Sequence, residues 1–363
     1  MVLQLHRADN RGVVQNGGDM ICPLQDADQA TVRMEVNGEY SLTVNLPSGA
    51  KNSNLATFGR AIKAMVDEDG TEQYFIIKSR RRSLTGGVEV YAEHQSYYYN
   101  GVIIGAGAAS QNGQPRVVFQ GLREYAVPDI KPISTWTYSR STALRASFPA
   151  RPSPIPVMQG LKEHLIGAAG GELRFDGFDV EYVDQIGRDR GASYRYAVNL
   201  TSLESEDILD GYASAIYPFW GSQGDPDRPL TTLSQKILEF DEPLPLQVVV
   251  PVDFSELFET QPTQAQLLAA AQEYAAQHTP TGVPESLRAE RAAIAGNVPV
   301  ALGDTVTVTS LPWRLETKTR IMAMEFDALR ERAISVELGT VNPGFYKAVK
   351  KAARQGGLLH GYF

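Results

Sequence analysis

Acidic residues are the first candidates for chemistry in this sequence. Asp176 and Asp179 flank Gly177 in "FDGFDVEYVD". Two carboxylates several ångströms apart across a cleft could hydrolyse a polysaccharide. In a hairpin centred on glycine, the same residues are more simply explained as turn residues. Both interpretations stay open, and the turn requires fewer assumptions.

Metal and nucleophilic chemistry find little support in the sequence. The five histidines are scattered, with no HExxH motif; they are His6, His94, His164, His278 and His360. Cys22 is the only cysteine and has apolar neighbours in "MICPL", which indicates a buried thiol rather than a reactive thiolate. No GxSxG motif is present. "LESEDILD" is predicted to be a charged loop or helix start rather than a calcium site, because its carboxylates lack the spacing of a calcium loop. We therefore expect no catalytic site, metal or cofactor.

The stretch "GRDRGASYRYAVNLTSLESE", residues 187–206, raises the question of a phosphate-binding loop. It places two arginines among glycines and then alternates apolar and polar residues. A phosphate loop requires glycine-cradled amides at a helix N-terminus, as in GxxxxGK[ST] or GxGxxG. Neither spacing is present, and strands are predicted on both sides of the turn. The stretch is therefore predicted to be part of a β-structure.

Charge and composition restrict the function classes further. The chain has 34 basic and 42 acidic side chains and a net charge of −8, which disfavours stable DNA binding through counterion release. The basic run "KSRRRS", residues 78–83, is better explained as a solvated hairpin edge. No signal peptide or apolar run of about 20 residues is visible, so we expect folding in a reducing cytoplasm without a membrane-spanning segment.

The elements that must position these residues are mainly strands. Residues 1–100 alternate with period two, and Asn37-Gly38 indicates a hairpin. Residues 101–172 contain an extended proline-rich stretch and a helix from Val157 to Gly170. Strands return after residue 172, and Thr263 is a plausible N-cap for a helix to Thr279. "VPESLRAERAAIAG" is ambiguous and favours a strand, and three further strands end near Gly339.

Aromatic clusters could serve as contact surfaces. Tyr97–Tyr99 and "YPFW", which is Tyr217, Pro218, Phe219 and Trp220, could stack on sugars or anchor packing and subunit contacts. We favour packing or an interface. The four residues of "YPFW" and Trp313 in "SLPWRL" are the candidate interface residues. A carbohydrate-binding module that presents the tyrosines remains an alternative.

Two stretches resemble one known protein family. "GRDRGASYRYAVNLTSLESEDILDGYASAIYPFWG" is similar to a segment of phage tail hub proteins in which a basic turn precedes "YG-NL", an acidic stretch and an aromatic-proline-aromatic strand end. "LGDTVTV", followed by "TRIMAMEFDALRERAISVELGT", is similar to the late strands of that family. The family is the baseplate hub, or N-terminal structural domain of tail-associated lysins, also called prophage endopeptidase tail proteins. The resemblance covers residues 20–340.

The resemblance implies a β-rich α+β fold with a few short helices. Two tube-like antiparallel β-barrel domains and an intervening α/β domain would form a trimeric ring. The implied domains are a first barrel at 1–100, a helix-containing segment at 101–172, a second barrel at 173–255 and 280–340, an inserted helix at 256–279 and a tail at 341–363.

The implied function is that of a structural tail-tip subunit. The homotrimer would join the hexameric tail tube to a tip or spike, in contact with a distal tail protein and a tape measure protein. It would form part of a channel through which DNA passes without specific binding. We expect it in the distal tail of a virion assembled in the bacterial cytoplasm. About 24 residues follow Gly339, too few for a lysin domain, so the endopeptidase activity is not expected. The alternative is a cell-wall hydrolase that uses Asp176 and Asp179.

Overall fold

The computed structural model describes most of the chain. The described residues are 2–14, 19–83, 87–105, 115–141, 155–207, 214–240, 247–255, 257–258, 260–278, 285–291 and 298–339. The predicted C-terminal tail and most of the proline-rich stretch lie outside these residues.

The first third of the chain forms seven strands and two short 3-10 helices, at Ser53–Leu55 and Gln95–Asn100. The strands are β1 (Gln4–Arg7), β2 (Met20–Pro23), β3 (Gln29–Glu35), β4 (Tyr40–Leu46), β5 (Arg60–Met65), β6 (Glu72–Arg82) and β7 (Val88–His94).

The middle of the chain is mixed. Its strands are β8 (Ile103–Ile104), β9 (Ala126–Val127), β10 (Trp136–Ser139), β11 (Glu172–Asp176) and β12 (Asp179–Val183). Helix α1 covers Pro115–Glu124. Helix α2 is continuous through Val157–Gln159, a π-helical Gly160–Ile166 and Gly167–Ala169.

The last part returns to strands around one long helix, α3 (Gln264–His278). The strands are β13 (Asp189–Arg195), β14 (Leu200–Asp207), β15 (Ala215–Trp220), β16 (Thr231–Thr232), β17 (Leu238–Glu239), β18 (Val249–Asp253), β19 (Glu285–Arg291), β20 (Thr305–Ser310), β21 (Leu315–Asp327) and β22 (Arg332–Gly339).

A curled 13-stranded sheet dominates the molecule. Its main order is β14-β19-β22-β21-β3-β4-β7-β6-β5-β1-β2, and β20 joins β21 to β13. The sheet is antiparallel except for the parallel pair β13–β20. The mainly β fold class predicted from the sequence is confirmed.

The sheet joins the two segments for which separate barrels are predicted. β3 pairs with β21, with Met34 opposite Met324 and Val32 opposite Phe326. Alternate residues of both strands point into one hydrophobic core that also contains Leu5, together with side chains from β4 to β7 and β19 to β22. This alternation is why a period-two sequence folds here as a half-buried sheet. The boundaries at 100, 172 and 255 stay predictions.

Two smaller layers complete the fold. The sheet β10-β12-β11 packs with α1 and α2 around a second core that contains Phe119, Leu161 and Tyr182. The sheet formed by β15 to β18 packs with α3 around a third core that contains Ile216 and Leu267. Thus β11 and β12 share a core with the helices that precede them in the sequence.

Several local predictions are confirmed. Asn37, with a φ of 56°, and Gly38 form the turn between β3 and β4. The ambiguous segment near residue 285 is strand β19, and the helix after Thr263 is α3.

Other local predictions differ from the structure. Helix α1 was not predicted, although Pro115 at its first position and buried Val118, Phe119 and Leu122 are helix signals. The first half of "LESEDILD", predicted as a loop or helix start, belongs to strand β14 because residues 200–207 pair with β19.

Candidate functional site

The arginine–glycine segment, residues 187–191, forms ion pairs and hydrogen bonds with two loops of the same chain. The Arg190 guanidinium donates to both carboxylate oxygens of Asp69, at 2.6 and 2.5 Å, and its Nε lies 2.6 Å from Asp304 Oδ2. The hydrogen bond from Arg190 lowers the pKa of the Asp69 carboxyl. The backbone N–H of Arg188 donates to Asp304 at 2.8 Å. These contacts fasten the start of β13 to the loops before β6 and β20.

The close packing of two backbone segments requires glycine at the start of this segment. Gly187, with a φ of +76°, lies against Gly303, with a φ of +85°. A Cβ on Gly187 would lie 2.1 Å from the carbonyl carbon of Gly303. The glycines of "GRDRG" therefore serve chain packing.

The acidic pair lies at the end of the β11–β12 hairpin. Asp176 and Asp179 are opposite each other in the register, with Gly177 at a φ of +56° between them. Asp176 accepts a hydrogen bond from Gln73 Nε2 at 2.9 Å, and Asp179 accepts one from the Thr135 backbone N–H at 2.6 Å. Both carboxylates thus hold the hairpin in place, as the turn interpretation predicts.

A cavity of about 810 Å³ lies between the large sheet and the three-stranded sheet. Its wall includes Asp176, Asp179, Arg188, Arg190 and the buried side of Tyr40. Among the residues that the structure describes, no group of three histidine, cysteine or acidic side chains is arranged to hold a metal ion. The charged residues of the wall are used mainly in ion pairs and hydrogen bonds between elements.

A buried polar chain lies beside this cavity. His94 contacts Ser96 Oγ through Nδ1 at 2.9 Å and Gln73 Oε1 through Nε2 at 3.0 Å. Its ring stacks on Tyr40 at 4.1 Å. Burial lowers the pKa of His94 to about 3, so the ring is neutral at physiological pH. Gln73 Oε1 also accepts the Gly177 N–H at 2.9 Å, and the chain thereby links the large sheet to the hairpin.

The lone cysteine and the tyrosine run have structural environments. Cys22 is buried, and burial raises the pKa of its thiol. Tyr99 is buried and donates through its hydroxyl to the Phe178 carbonyl, while Tyr98 packs edge-on against the Phe178 ring. The Tyr97 hydroxyl accepts the Tyr40 N–H at 3.2 Å.

The candidate interface residues occupy different environments. Trp220 is buried and donates from Nε1 to the Phe258 carbonyl at 2.9 Å, so its ring packs within the chain. Pro218 is buried in β15, and Tyr217 and Phe219 are partly exposed, with ring centroids 6.5 Å apart. Trp313 is exposed in the turn between β20 and β21. This turn belongs to the large sheet, whereas the other four residues lie on β15 in a separate sheet. The role of all five in an interface stays a prediction.

Three exposed apolar residues in the turn of Trp313 and the adjacent turn were not predicted as contact residues. Leu311 lies in the same turn, and Tyr196 and Val198 lie in the turn between β13 and β14. The alternation in "ASYRYAVNL" predicts one strand, but β13 ends at Arg195 and Ala197 has a φ of 60°. Leu311 belongs to "SLPWRL", in which only Trp313 was predicted as a contact residue.

No known family and no curated protein matches this sequence. Solved structures do match the fold. Prophage tail protein gp18 from Listeria monocytogenes EGD-e is similar with a TM-score of 0.61 and 11% identity, over 98% of this chain and 100% of that one. The tail protein from Neisseria meningitidis MC58 has a TM-score of 0.61 and 13% identity, over 96% and 98%.

A third tail protein has the same architecture. The 43 kDa tail protein of prophage MuSo2 from Shewanella oneidensis matches with a TM-score of 0.61 and 10% identity, over 95% of this chain and 99% of that one. At such low identities the likeness concerns the fold, which extends over nearly the whole of each chain. None of the helices in the described part of this chain is long and apolar enough to cross a membrane.

Proposed function

We propose that this chain is a structural subunit of a phage tail, or of a phage-derived injection machine, at the distal end of the tail. The observation that carries the proposal is the shared fold, which extends over 95–98% of this chain and matches tail proteins from three different bacteria. Coverage of both chains from end to end indicates a common architecture rather than one shared domain.

In this proposal three copies form a ring that joins the hexameric tail tube to a tip or spike. If each chain contributes two tube-like β-barrels, three chains present a pseudo-sixfold surface to the tube. The proposed neighbours are the tail tube or distal tail protein, the tape measure protein and a spike or tip protein. The net charge of −8 suits a channel that DNA crosses without being held, since a basic lumen would bind phosphates.

The contacts of the side chains that could take part in catalysis support a structural role. Asp176, Asp179 and Arg190 all contact other elements of the chain, and His94 is buried in a hydrogen-bonded chain. These contacts use the groups that a hydrolase would need free for its substrate.

Oligomeric state and shape test the proposal together. Purified full-length protein is expected to form a trimer by light scattering and a ring with a central channel by negative-stain imaging. Binding to purified tail tubes would test the adapter role, and a trimer that does not bind them would contradict it.

The hydrolase alternative rests on the position of Asp176 and Asp179 in the cavity wall. A zymogram with peptidoglycan or host polysaccharide tests it. We expect no cleared zone with the wild-type protein. A cleared zone that Asp176→Asn or Asp179→Asn abolishes, in a variant with an unchanged circular dichroism spectrum, would overturn the structural proposal.

A further inference from the structure

Two turns project side by side from one end of the large sheet. β13 and β20 run parallel, with Arg195 opposite Thr309. The Tyr196 N–H donates to the Thr309 carbonyl at 3.2 Å. Because both strands end here in the same direction, the turns that follow them, at residues 196–199 and 311–314, emerge as neighbours.

These turns expose four apolar side chains, here named the tip patch. Their exposed fractions are 44% for Tyr196, 61% for Val198, 87% for Leu311 and 48% for Trp313. Large apolar side chains clustered on a surface mark interaction sites, and tryptophan and tyrosine are the residues that most often dominate binding energy.

Hydrogen bonds hold both turns in fixed conformations. The Arg195 N–H donates to Asn199 Oδ1 at 2.6 Å, and Asn199 Nδ2 donates to the Ser193 carbonyl at 2.8 Å. In the second turn the Arg314 N–H donates to the Leu311 carbonyl at 3.1 Å. A surface that is already ordered loses little conformational entropy on binding, so the tip patch is suited to form a contact.

Two arginines flank the tip patch. Arg195 and Arg314 are exposed, and neither forms a salt bridge within the described part of the chain. Two tip patches that faced each other across a twofold axis would bring like charges together, which disfavours a symmetric dimer through this surface. The complementary surface should be acidic.

The same chain has such a surface on the solvent side of its central strands. Arg33 lies between four glutamates at N–O distances of 2.8 to 3.5 Å, and each of these side chains is about one-third exposed. We name Glu35, Glu39, Glu325 and Glu337 the glutamate face. One guanidinium shared by four carboxylates leaves an excess of negative charge that can accept further guanidinium groups.

A chain cannot bring its own tip patch to its own glutamate face. β21 starts beside the tip patch at Leu315 and reaches the glutamate face at Glu325. Ten residues of extended strand separate these positions by roughly 34 Å. A contact between the two surfaces therefore requires a second copy of the chain.

We propose that the tip patch, with Arg195 and Arg314, docks on the glutamate face of a neighbouring copy. This inference rests on the homotrimer of the proposed function and assigns its contact surfaces. The two surfaces differ, so the contact is head-to-tail, and repetition of a head-to-tail contact closes a ring when the rotation allows it. Apolar burial by Trp313 and Leu311 would supply affinity, and the charges would select the orientation.

The test measures trimer dissociation of the full chain by light scattering over a dilution series. Arg314→Glu and Trp313→Ala are each expected to raise the concentration at which the trimer dissociates by at least tenfold, because a hot-spot or charge-pair change commonly costs that much. Arg116→Glu is the matched control, since Arg116 is exposed on α1. It should leave dissociation unchanged.

Charge reversal identifies the partner surface. Glu337→Lys is suitable because Glu337 makes the longest of the four contacts to Arg33, at 3.5 Å. Alone it should weaken the trimer, and combined with Arg314→Glu it should restore part of the stability. Absence of any rescue would overturn the assignment of the glutamate face.

The outcomes separate this inference from the proposed function. If wild type is trimeric and the Arg314→Glu and Trp313→Ala variants dissociate like wild type, the inference fails while the trimer stands. If wild type is monomeric at every concentration, alone and mixed with purified tail tubes, both fail.

Discussion

At the scale of single residues, ion pairs fasten the layers of the molecule to one another. Arg320 on β21 donates to both oxygens of Glu172 on β11, at 2.8 and 2.9 Å, and to the Ile186 and Gly303 carbonyls. Glu172 also accepts the Ile186 N–H at 2.7 Å. A largely buried bidentate pair of this kind fixes geometry as well as charge.

Removal of Arg320 should destabilise the protein strongly. Arg320→Ala leaves the Glu172 carboxylate buried without its cation, and such changes typically cost about 3–5 kcal/mol. Urea unfolding followed by fluorescence measures the loss. Lys318→Ala removes an exposed pair with Asp189 and should cost much less, because solvent screens exposed ion pairs. Equal losses in the two variants would contradict a fastening role for Arg320.

The buried His94 should make stability depend on pH. Burial lowers its pKa to about 3, whereas an exposed histidine has a pKa of about 6.5. Between these values the unfolded chain binds a proton that the folded chain excludes, so stability decreases as the pH falls below 6.5. Linkage gives a loss on the order of 1 kcal/mol from this residue between pH 7.5 and 5.5.

Replacement of the imidazole tests this effect. His94→Gln is expected to be less stable at pH 7.5, because the contacts with Ser96 and Gln73 change, and to lose less additional stability at pH 5.5. His6, whose pKa burial also lowers, is unchanged in both proteins. The measurement is the free energy of unfolding at the two pH values, and an identical pH slope in wild type and variant would refute the account.

Among the helices and strands, the sequence correctly predicts those features that depend on residues close together in the chain. The Asn37-Gly38 hairpin and the start of α3 at Thr263 both depend on residues within four positions. The pairing of β3 with β21 joins residues almost 300 positions apart. Nothing in the spacing of either strand specifies that partner, because all half-buried strands share the same period.

The composition of the two contact surfaces could likewise not be predicted from the sequence, because their residues are far apart in the chain. Trp313 was predicted from "SLPWRL" as a candidate interface residue in a turn. Tyr196 and Val198 lie more than 110 positions away in the sequence, and their turn comes beside that of Trp313 only through the β13–β20 pair. Likewise, Arg33 and Glu337 meet across β3, β21 and β22. Residue types on each turn or strand were visible in the sequence, whereas their proximity required the sheet order.

The contribution of the Thr263 N-cap of α3 to the stability of the protein should be measurable. The Thr263 N–H donates to Gln266 Oε1 at 2.9 Å, and the Gln266 N–H lies 3.3 Å from Thr263 Oγ1, which is a reciprocal capping arrangement. Thr263→Ala is expected to cost about 1 kcal/mol. Thermal unfolding should show the loss, with Thr263→Ser close to wild type. Equal midpoints for Thr263→Ala and wild type would show that packing of Leu267 alone determines the helix start.

At the scale of the whole molecule, the fold accounts for the distribution of polar groups. Charged side chains beside the cavity connect one layer to another, whereas the tip patch and the glutamate face are exposed or partly exposed. This distribution suits a subunit with a fixed shape that contacts neighbouring subunits. The proposed tail role combines these features with the architecture shared with three tail proteins.

The mass and shape of the purified full chain test this account most directly. Light scattering should give about three times the 39.7 kDa of one chain, and images of the same peak should show a ring with a central channel. A mass of one chain at all accessible concentrations, both alone and mixed with purified tail tubes, would contradict the account.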